Sequence, residues 1–374
     1  MNFTLMGDEK KQQEKIVFME TADFSGCVDL NRYDRVFVLV DENTQEYCYP
    51  LLQQQGVLPD QVLVITGPQG EPMKTLTSAM ALWETLTEKG ATRHSCLLVL
   101  GGGLLCDLGA FTASLFKRGM DFMLIPTTLL AQVDASIGGK NGVNFYHIKN
   151  HIGCFRLPAQ VIIHPAFLST LPRRIFLSGI SEMLKHGLIA DYGYFQSLVS
   201  LPEFTPEALT PFILSSVQIK LKITKVDPQE KNYRKALNFG HSIGHALESW
   251  SNEEGKTTLL HGEAVALGLL AELWLSGQCL GMSPEPEAEL KRVLPRLVPD
   301  FSFSPSDLDA LLWYVFQDKK NVADDIYMVL LKNPEETVPA FRVEKEWVSK
   351  AFLYLSHYIT TEKKDERVAS NNSE

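Results

Sequence analysis

His241, His245 and His261 lie close together in the sequence. The first two sit in Asn238-Phe239-Gly240-His241-Ser242-Ile243-Gly244-His245, and the third opens His261-Gly262-Glu263. Imidazoles at i and i+4 of a helix share a face, and the glycines around them allow close backbone approach. Upstream, Ser181-Glu182-Met183-Leu184-Lys185 reads as helix and projects Glu182 and Lys185, at i and i+3, to one side. One carboxylate with two imidazoles is a common catalytic zinc shell, leaving a coordination position for water or substrate. The spacing does not choose between His241 and His245. If both ligate, little is left to act as base.

The cations that could surround such a metal are Arg118, Lys140, Lys149, Lys185, Lys220, Arg234, Lys319 and Lys320. Lys140 follows Gly138-Gly139, a loop that exposes it, and Arg234 lies one helical turn before Asn238. Singly, each reads as a solvated surface residue. Jointly they suit a substrate bearing phosphate and carboxylate, which Lys and Arg bind through charge-assisted hydrogen bonds. A second chemistry is suggested by Gly101-Gly102-Gly103, which follows an apolar strand and precedes the helix-like Leu108 to Phe116. Backbone N–H groups at such a helix start can receive a pyrophosphate, although the spacing is not GxGxxG and a tight turn accounts for the glycines equally well. Asp41 and Asn43 follow another strand, where an acid or amide can bind a ribose or simply make a turn.

The elements that must position these residues change character along the chain. Arg35 to Val40, Gln61 to Thr66, Cys96 to Leu100, Asp121 to Pro126 and Gln160 to His164 read as buried strands. Lys74 to Lys89 between them has helical periodicity. Strand and helix in turn imply a mostly parallel, covered sheet. From about Ser169 the strand signal nearly vanishes. Phe176 to Ile189, Pro206 to Val226, His241 to Trp250, His261 to Leu280 and Glu285 to Leu294 read as helices, with Ile326 to Leu331 a short strand. The expected division is an α/β domain over 1–168, a helical domain over 169–360, and a polar tail over 361–374 expected to lack structure.

Composition narrows the partners. The 374 residues are 45% hydrophobic and 21% charged, the make-up of an ordinary soluble globular protein of about two domains. No apolar run reaches the roughly 18 to 20 residues of a membrane helix, and Met1 to Glu14 has no signal-like apolar stretch, so the expectation is a cytoplasmic chain with no membrane partner. The formal charge of −10 argues against nucleic acid. Between Gly101 and Trp250, however, fourteen Lys and Arg outnumber ten Asp and Glu, so an anionic small molecule could be held there. The six cysteines are scattered without a CxxC pair, which indicates neither a disulfide framework nor a thiolate zinc site.

Taken in order, the motifs resemble those of the 3-dehydroquinate synthase family of sugar-phosphate cyclases. They are Gly101-Gly102-Gly103 with Asp107, Lys117-Arg118-Gly119, Pro126-Thr127-Thr128-Leu129-Leu130-Ala131-Gln132-Val133-Asp134, Gly138-Gly139-Lys140, Lys149-Asn150, Glu182 with Lys185, Leu237 to Glu248, His261-Gly262-Glu263 and Asp318-Lys319-Lys320. The likeness spans about Val36 to Leu331. It implies an α/β N-terminal Rossmann-like domain that binds NAD⁺, an all-α C-terminal domain that binds zinc (or cobalt in its place), a cleft between them, and a homodimer. The implied reaction converts 3-deoxy-D-arabino-heptulosonate 7-phosphate to 3-dehydroquinate and phosphate, a step of the shikimate pathway to aromatic amino acids. The runner-up is a related cyclase acting on another sugar phosphate.

Carried over by resemblance, Glu182, His241 and His261 are the zinc ligands, and Glu230 and His245 the proton-transfer pair. Lys185, Lys220, Arg234, Asn238 and Asp134 hold the substrate's hydroxyls and carboxylate. Lys140, Asn150, Arg118 and one of Lys319 and Lys320 form the phosphate end, and Lys149 is a further candidate cation of the site. Asp41, Asn43, Glu71, Lys74, Gly102, Gly103, Asp107, Thr127, Thr128 and Thr170 match the NAD⁺ positions. The sequence departs from the family pattern at Cys106, usually glycine, at Asn141, usually threonine, at Pro228, usually an acid, and at Asn232, usually glycine. A Cβ at position 106 would crowd the cofactor if the backbone there had φ > 0.

Overall fold

The computed structural model describes residues 2–5, 14–19, 28–54, 56, 58–146, 148–317 and 325–361. They form two compact units, residues 1–172 with 209–221, and residues 173–208 with 222–374.

The first unit contains strands β1 (Asn2–Leu5), β2 (Ile16–Met19), β3 (Val36–Val40), β4 (Val62–Thr66), β5 (Cys96–Gly101), β6 (Asp121–Pro126), β7 (Lys140–Phe145), β8 (Ile148–Phe155) and β9 (Gln160–Ile163). Helices α1 (Glu42–Tyr47), α2 (Tyr49–Gln54), α3 (Leu76–Glu88) and α4 (Gly103–Leu115) lie between them. Seven strands make one sheet in the order β1-β2-β9-β6-β5-β3-β4, parallel except for the β1–β2 pair. Because side chains alternate along a strand, Val36, Val38, Val40, Leu98, Leu100, Met123 and Ile125 build one buried face. Phe37, Leu39, Leu97, Val99, Phe122 and Leu124 are buried too, so both faces are covered. That is the near-continuous apolar pattern of parallel strands, and it explains why these strands are readable in the sequence. Helix α4 comes close to the sheet at Gly109, where a Cβ would stand 2.6 Å from Val99 and 3.0 Å from Leu39.

The β7–β8 hairpin is a separate two-stranded sheet that the sequence pattern does not announce. Its strands, KNGVNF and IKNHIGCF, mix small, polar and exposed residues. Short β2 was likewise missed. The polar tail beyond 361 and residues Lys319 and Lys320 fall outside the described residues.

The second unit is mostly helical, with α5 (Arg173–Ser178), α6 (Ile180–Ala190), α7 (Tyr192–Val199), α8 (Pro206–Val226), α9 (His241–Ser251), α10 (His261–Leu280), α11 (Glu285–Leu297), α12 (Leu308–Phe316) and α13 (Lys345–Thr360). One hairpin, β10 (Ile326–Asn333) with β11 (Glu336–Val343), accompanies them. The stretch expected to be one helix from Phe176 breaks at Gly179 into α5 and α6. Residues 209–221 of α8 belong to the first unit, whereas the sequence reading placed the whole segment in a helical domain starting at 169. Leu209, Ile213, Val217 and Lys220 recur at helical spacing and are all buried, so this stripe is fixed by packing as well as by periodicity. Helix α10 is long and apolar enough to cross a membrane by composition, but most of its residues are buried within the protein and it serves as the core helix of its unit.

Candidate functional site

In the second unit the carboxylate and imidazoles singled out above come together. Glu182 on α6 is fully buried, and its Oε1 lies 3.6 Å from His241 Nε2 and 3.6 Å from His261 Nε2. Those separations exceed hydrogen-bond range. They suit two donors sharing one ion, since tetrahedral ligands at about 2 Å from zinc stand roughly 3.3 Å apart. Ligand atoms of His241, His245 and His261 all lie within 4.8 Å of one another. The His245 ring is 5.1 Å from that of His241 and 5.7 Å from that of His261, about as near as those two are to each other (5.5 Å), so by distance all three imidazoles are candidates for one ion.

The ring nitrogens facing away are engaged. His241 Nδ1 is 3.2 Å from the Phe239 carbonyl oxygen, and His261 Nδ1 is 3.2 Å from Glu248 Oε2. Such partners place the proton on Nδ1 and turn the Nε2 lone pair toward the centre, the usual support of a metal-binding histidine. Burial and the nearby Lys185 charge hold His241 well below the ordinary imidazole range, which keeps it neutral and able to donate electrons. For His261, burial opposes the charged form, but Glu248 and Glu182 outweigh it and raise the pKa to about 9. The carboxylates of Glu182 and Glu248 are matched there by Lys185 and the protonated His261, whose Nε2 proton a metal cation would replace. Lys185 on the next turn of α6 is 1% exposed and donates a hydrogen bond to Glu182 Oε2.

Close backbone approach explains the glycines. At Gly268 a Cβ would lie 1.9 Å from Gly240 O and 2.7 Å from Gly244 N, so α9 and α10 can meet at this distance only with hydrogen there. At Gly262 a Cβ would lie 1.7 Å from Ser178 O, which seats the start of α10 against the end of α5. Arg174 fastens the same helix start, donating to Glu263 Oε1 (2.6 Å) and Oε2 (2.8 Å), while Glu263 accepts from Leu260 N (2.7 Å).

Elsewhere in this unit, Arg234 is 2% exposed and donates to the Pro228 carbonyl (2.8 Å). Asn238 donates to Glu230 Oε1 (2.8 Å), and Glu230 sits at φ 57°, a left-handed conformation uncommon for this residue type. Asp227 organises the loop by accepting from the backbone of Lys231, Asn232 and Arg234.

In the first unit, Gly102 caps α4, and a Cβ on it would meet Thr128 at 3.0 Å. Thr127 N donates to Gly101 O (3.0 Å), and Thr128 Oγ1 accepts from Ala131 N (3.2 Å). The strand-to-helix turn, with no side chain capping the start of α4, thus has the form of an anion cradle. Cys106 lies inside α4, not at positive φ; it is fully buried with its thiol directed to Gly101 O (3.6 Å), so the crowding that its Cβ would cause in a left-handed turn does not arise. Lys74, 4% exposed, joins Asp107 Oδ2 (2.5 Å) and Asn150 Oδ1 (2.6 Å). Burial opposes its charge, but Asp107 and Glu71 prevail and raise its pKa. Glu71 Oε1 accepts from Asn144, whose side-chain oxygen in turn accepts from Asn150 N.

Lys220 reaches Asp134 from α8, 2.7 Å to Oδ1 and 2.5 Å to the carbonyl. Asp41 is the N-cap of α1, accepting from Thr44 N (2.7 Å), and Asn43 is exposed on that helix. Thr170 donates to Phe167 O. Lys140 is exposed directly after the positive-φ pair Gly138 and Gly139, Lys149 is half-buried in the hairpin, and Arg118 is exposed at φ 67°.

Sequence reasoning named Glu248 and Glu263 only within motifs, without a role, and passed over Glu272. Glu248 could have been found, because 241, 245 and 248 share a helix face. Glu263 and Glu272 are the two acids in an otherwise apolar helix, and a buried acid requires a partner.

A Rossmann-like unit with a glycine cradle, followed by a helical unit with a buried carboxylate among imidazoles, defines a two-unit class able to hold a nucleotide and a metal. Family models narrow that class: residues 64–178 match the 3-dehydroquinate synthase N-terminal model and residues 179–321 the C-terminal one. The 3-dehydroquinate synthase of Parabacteroides distasonis is 38% identical over 330 residues, 88% of this chain and 92% of that protein. The chain belongs to the 3-dehydroquinate synthase family. Its fold is also that of 2-deoxy-scyllo-inosose synthase, solved with carbaglucose-6-phosphate, NAD⁺ and Co²⁺ (TM-score 0.78, 24% identity, 94% of this chain and 99% of that one). The 2-epi-5-epi-valiolone synthase of Streptomyces hygroscopicus subsp. jinggangensis, solved with NAD⁺ and Zn²⁺, is alike to the same degree, with a TM-score of 0.78 and 24% identity over 94% of this chain and 99% of that one.

Proposed function

We propose that the chain carries out the 3-dehydroquinate synthase reaction as an NAD⁺- and zinc-dependent lyase, closing 3-deoxy-D-arabino-heptulosonate 7-phosphate to 3-dehydroquinate with loss of phosphate. The observation that carries this reading is the convergence of Glu182 Oε1 with the Nε2 atoms of His241 and His261 at 3.6 Å, each imidazole braced through Nδ1. Glu182, His241 and His261 would hold the metal. When bound, zinc supplies Lewis acidity toward a substrate hydroxyl, and NAD⁺ supplies a reversible hydride acceptor.

This chain's own residues do the rest. His245, left out of the ligand set in this assignment, takes and returns the hydroxyl proton with Glu230 as its relay. Lys185, Lys220 with Asp134, Arg234 and Asn238 orient the hydroxyls and carboxylate, and the planar Arg234 guanidinium suits a carboxylate. Lys140, Arg118, Lys149 and Asn150 receive the phosphate, stabilising the charge that grows as the C–O bond breaks. Lys74 and Asp107 stand near the glycine cradle, Glu71 adjoins them, and with Gly102, Gly103, Thr127, Thr128, Asp41, Asn43 and Thr170 they are assigned to NAD⁺. The test is phosphate release and dehydroquinate formation from the heptulosonate phosphate by purified protein supplied with NAD⁺ and zinc, without net NADH. No turnover in metal-replete protein would reject the reading.

A further inference from the structure

We propose that Glu272 is a positioning residue for the metal centre, fixing the first turn of the helix that carries His241 and His245; the inference rests on the metal reading above. Helix α9 begins at His241, and its N-cap, Gly240, lies at φ 81° and has no side chain to offer. The opening amides of a helix need acceptors. They find them in a residue distant in sequence: Glu272, fully buried on α10, accepts from Gly240 N through Oε2 (2.6 Å) and from Ser242 N (3.0 Å) and Ile243 N (3.3 Å) through Oε1. Ser242 and Ile243 are the positions an N-cap side chain ordinarily serves, and a carboxylate there also meets the positive end of the helix dipole.

The placement ties the two ligand-bearing helices together. His261 opens α10, and Glu272 follows it at 272 − 261 = 11 residues, close to three whole turns, so both point to the same side of that helix. Glu272 therefore registers the start of α9 against the element bearing His261. The glycine contact of Gly268 with Gly240 and Gly244 lies one turn earlier on α10 and brings the backbones near enough for the carboxylate to reach. A glutamine could offer only one oxygen and would turn an NH₂ group toward backbone N–H donors.

The experiment compares wild type, Glu272→Gln, Glu272→Asp and Phe352→Ala, the last a fully buried change on α13 that loosens the same unit. Zinc affinity is measured by chelator competition, and the ligand field by the visible absorption of the Co²⁺-loaded protein. Glu272→Gln should bind zinc about 10- to 100-fold more weakly, the range for supports of a metal ligand. Its Co²⁺ bands should shift, and kcat should fall more than KM rises. Glu272→Asp should move in the same direction by less, and Phe352→Ala should keep the wild-type spectrum. Wild-type affinity and spectrum in folded Glu272→Gln protein would overturn the proposal, as would an equal loss in Phe352→Ala. If Glu272→Gln does not fold, Glu272→Asp decides: several-fold weakening with a band shift supports the role, and unchanged binding overturns it. A wild-type chain that binds neither metal would instead overturn the metal reading itself, and this inference with it.

Discussion

Replacing Glu182 with Gln separates charge from shape at the centre. The amide keeps the outline of the side chain and can still accept from Lys185, so the loss is one negative charge in a fully buried place. Glu182 Oε1 is 3.6 Å from two imidazole nitrogens, which sets the scale of the site. A unit charge about 4 Å from another is worth roughly 4 kcal/mol at an effective dielectric constant near 20. Each 1.4 kcal/mol is about tenfold in affinity, and zinc would be doubly charged and nearer the carboxylate than this, so its binding should weaken by at least about a thousandfold. The metal-free protein should suffer too. Breaking one side of a buried pair costs about 3–5 kcal/mol, and the acceptor that Gln retains for Lys185 places the expected loss at the low end. Chelator competition measures the first effect and urea denaturation of metal-free protein the second. Folded Glu182→Gln protein that retains zinc as tightly as wild type would refute the assignment of this carboxylate to the metal.

Gly268→Ala should destabilise the protein by at least the roughly 1–3 kcal/mol of an overpacked core, because its Cβ would lie 1.9 Å from Gly240 O; an unchanged urea midpoint would contradict this. His245→Ala should keep its zinc yet lose about 10²- to 10⁴-fold in kcat, the range for a general acid–base group; metal loss in this variant would make His245 a ligand instead. Asp34 is held below the usual carboxylate range by hydroxyl hydrogen bonds from Ser95 and Thr92. Its folded pKa is depressed, so its contribution is present above the unfolded pKa and lost as pH falls through the folded one. Asp34→Asn should therefore flatten the acid limb of a stability-versus-pH curve and leave the neutral-to-basic limb parallel to wild type.

Much of the fold was legible because burial on both faces leaves long apolar runs. Strands β3, β5, β6 and β9 show this directly, while half-buried β4 and helices such as α8, α9 and α10 show through apolar content and periodicity. The hairpin β7–β8 does not, since half-exposed strands of small and polar residues look like loop. Glu182 with the histidines was also readable as a set of metal-competent groups, from residue type and helical spacing. Which atoms meet was not. Residues 182, 241 and 261 belong to three helices, and no local pattern records a separation across helices. Only the packed structure decided that Glu248 braces His261, that Glu272 caps α9 from another helix, and that Lys74 joins Asp107 to Asn150. Sequence alone determines periodicity and chemical inventory, because these are local properties. Partners of buried charges come from long-range packing, where a glycine's missing Cβ settles how closely two backbones may pass.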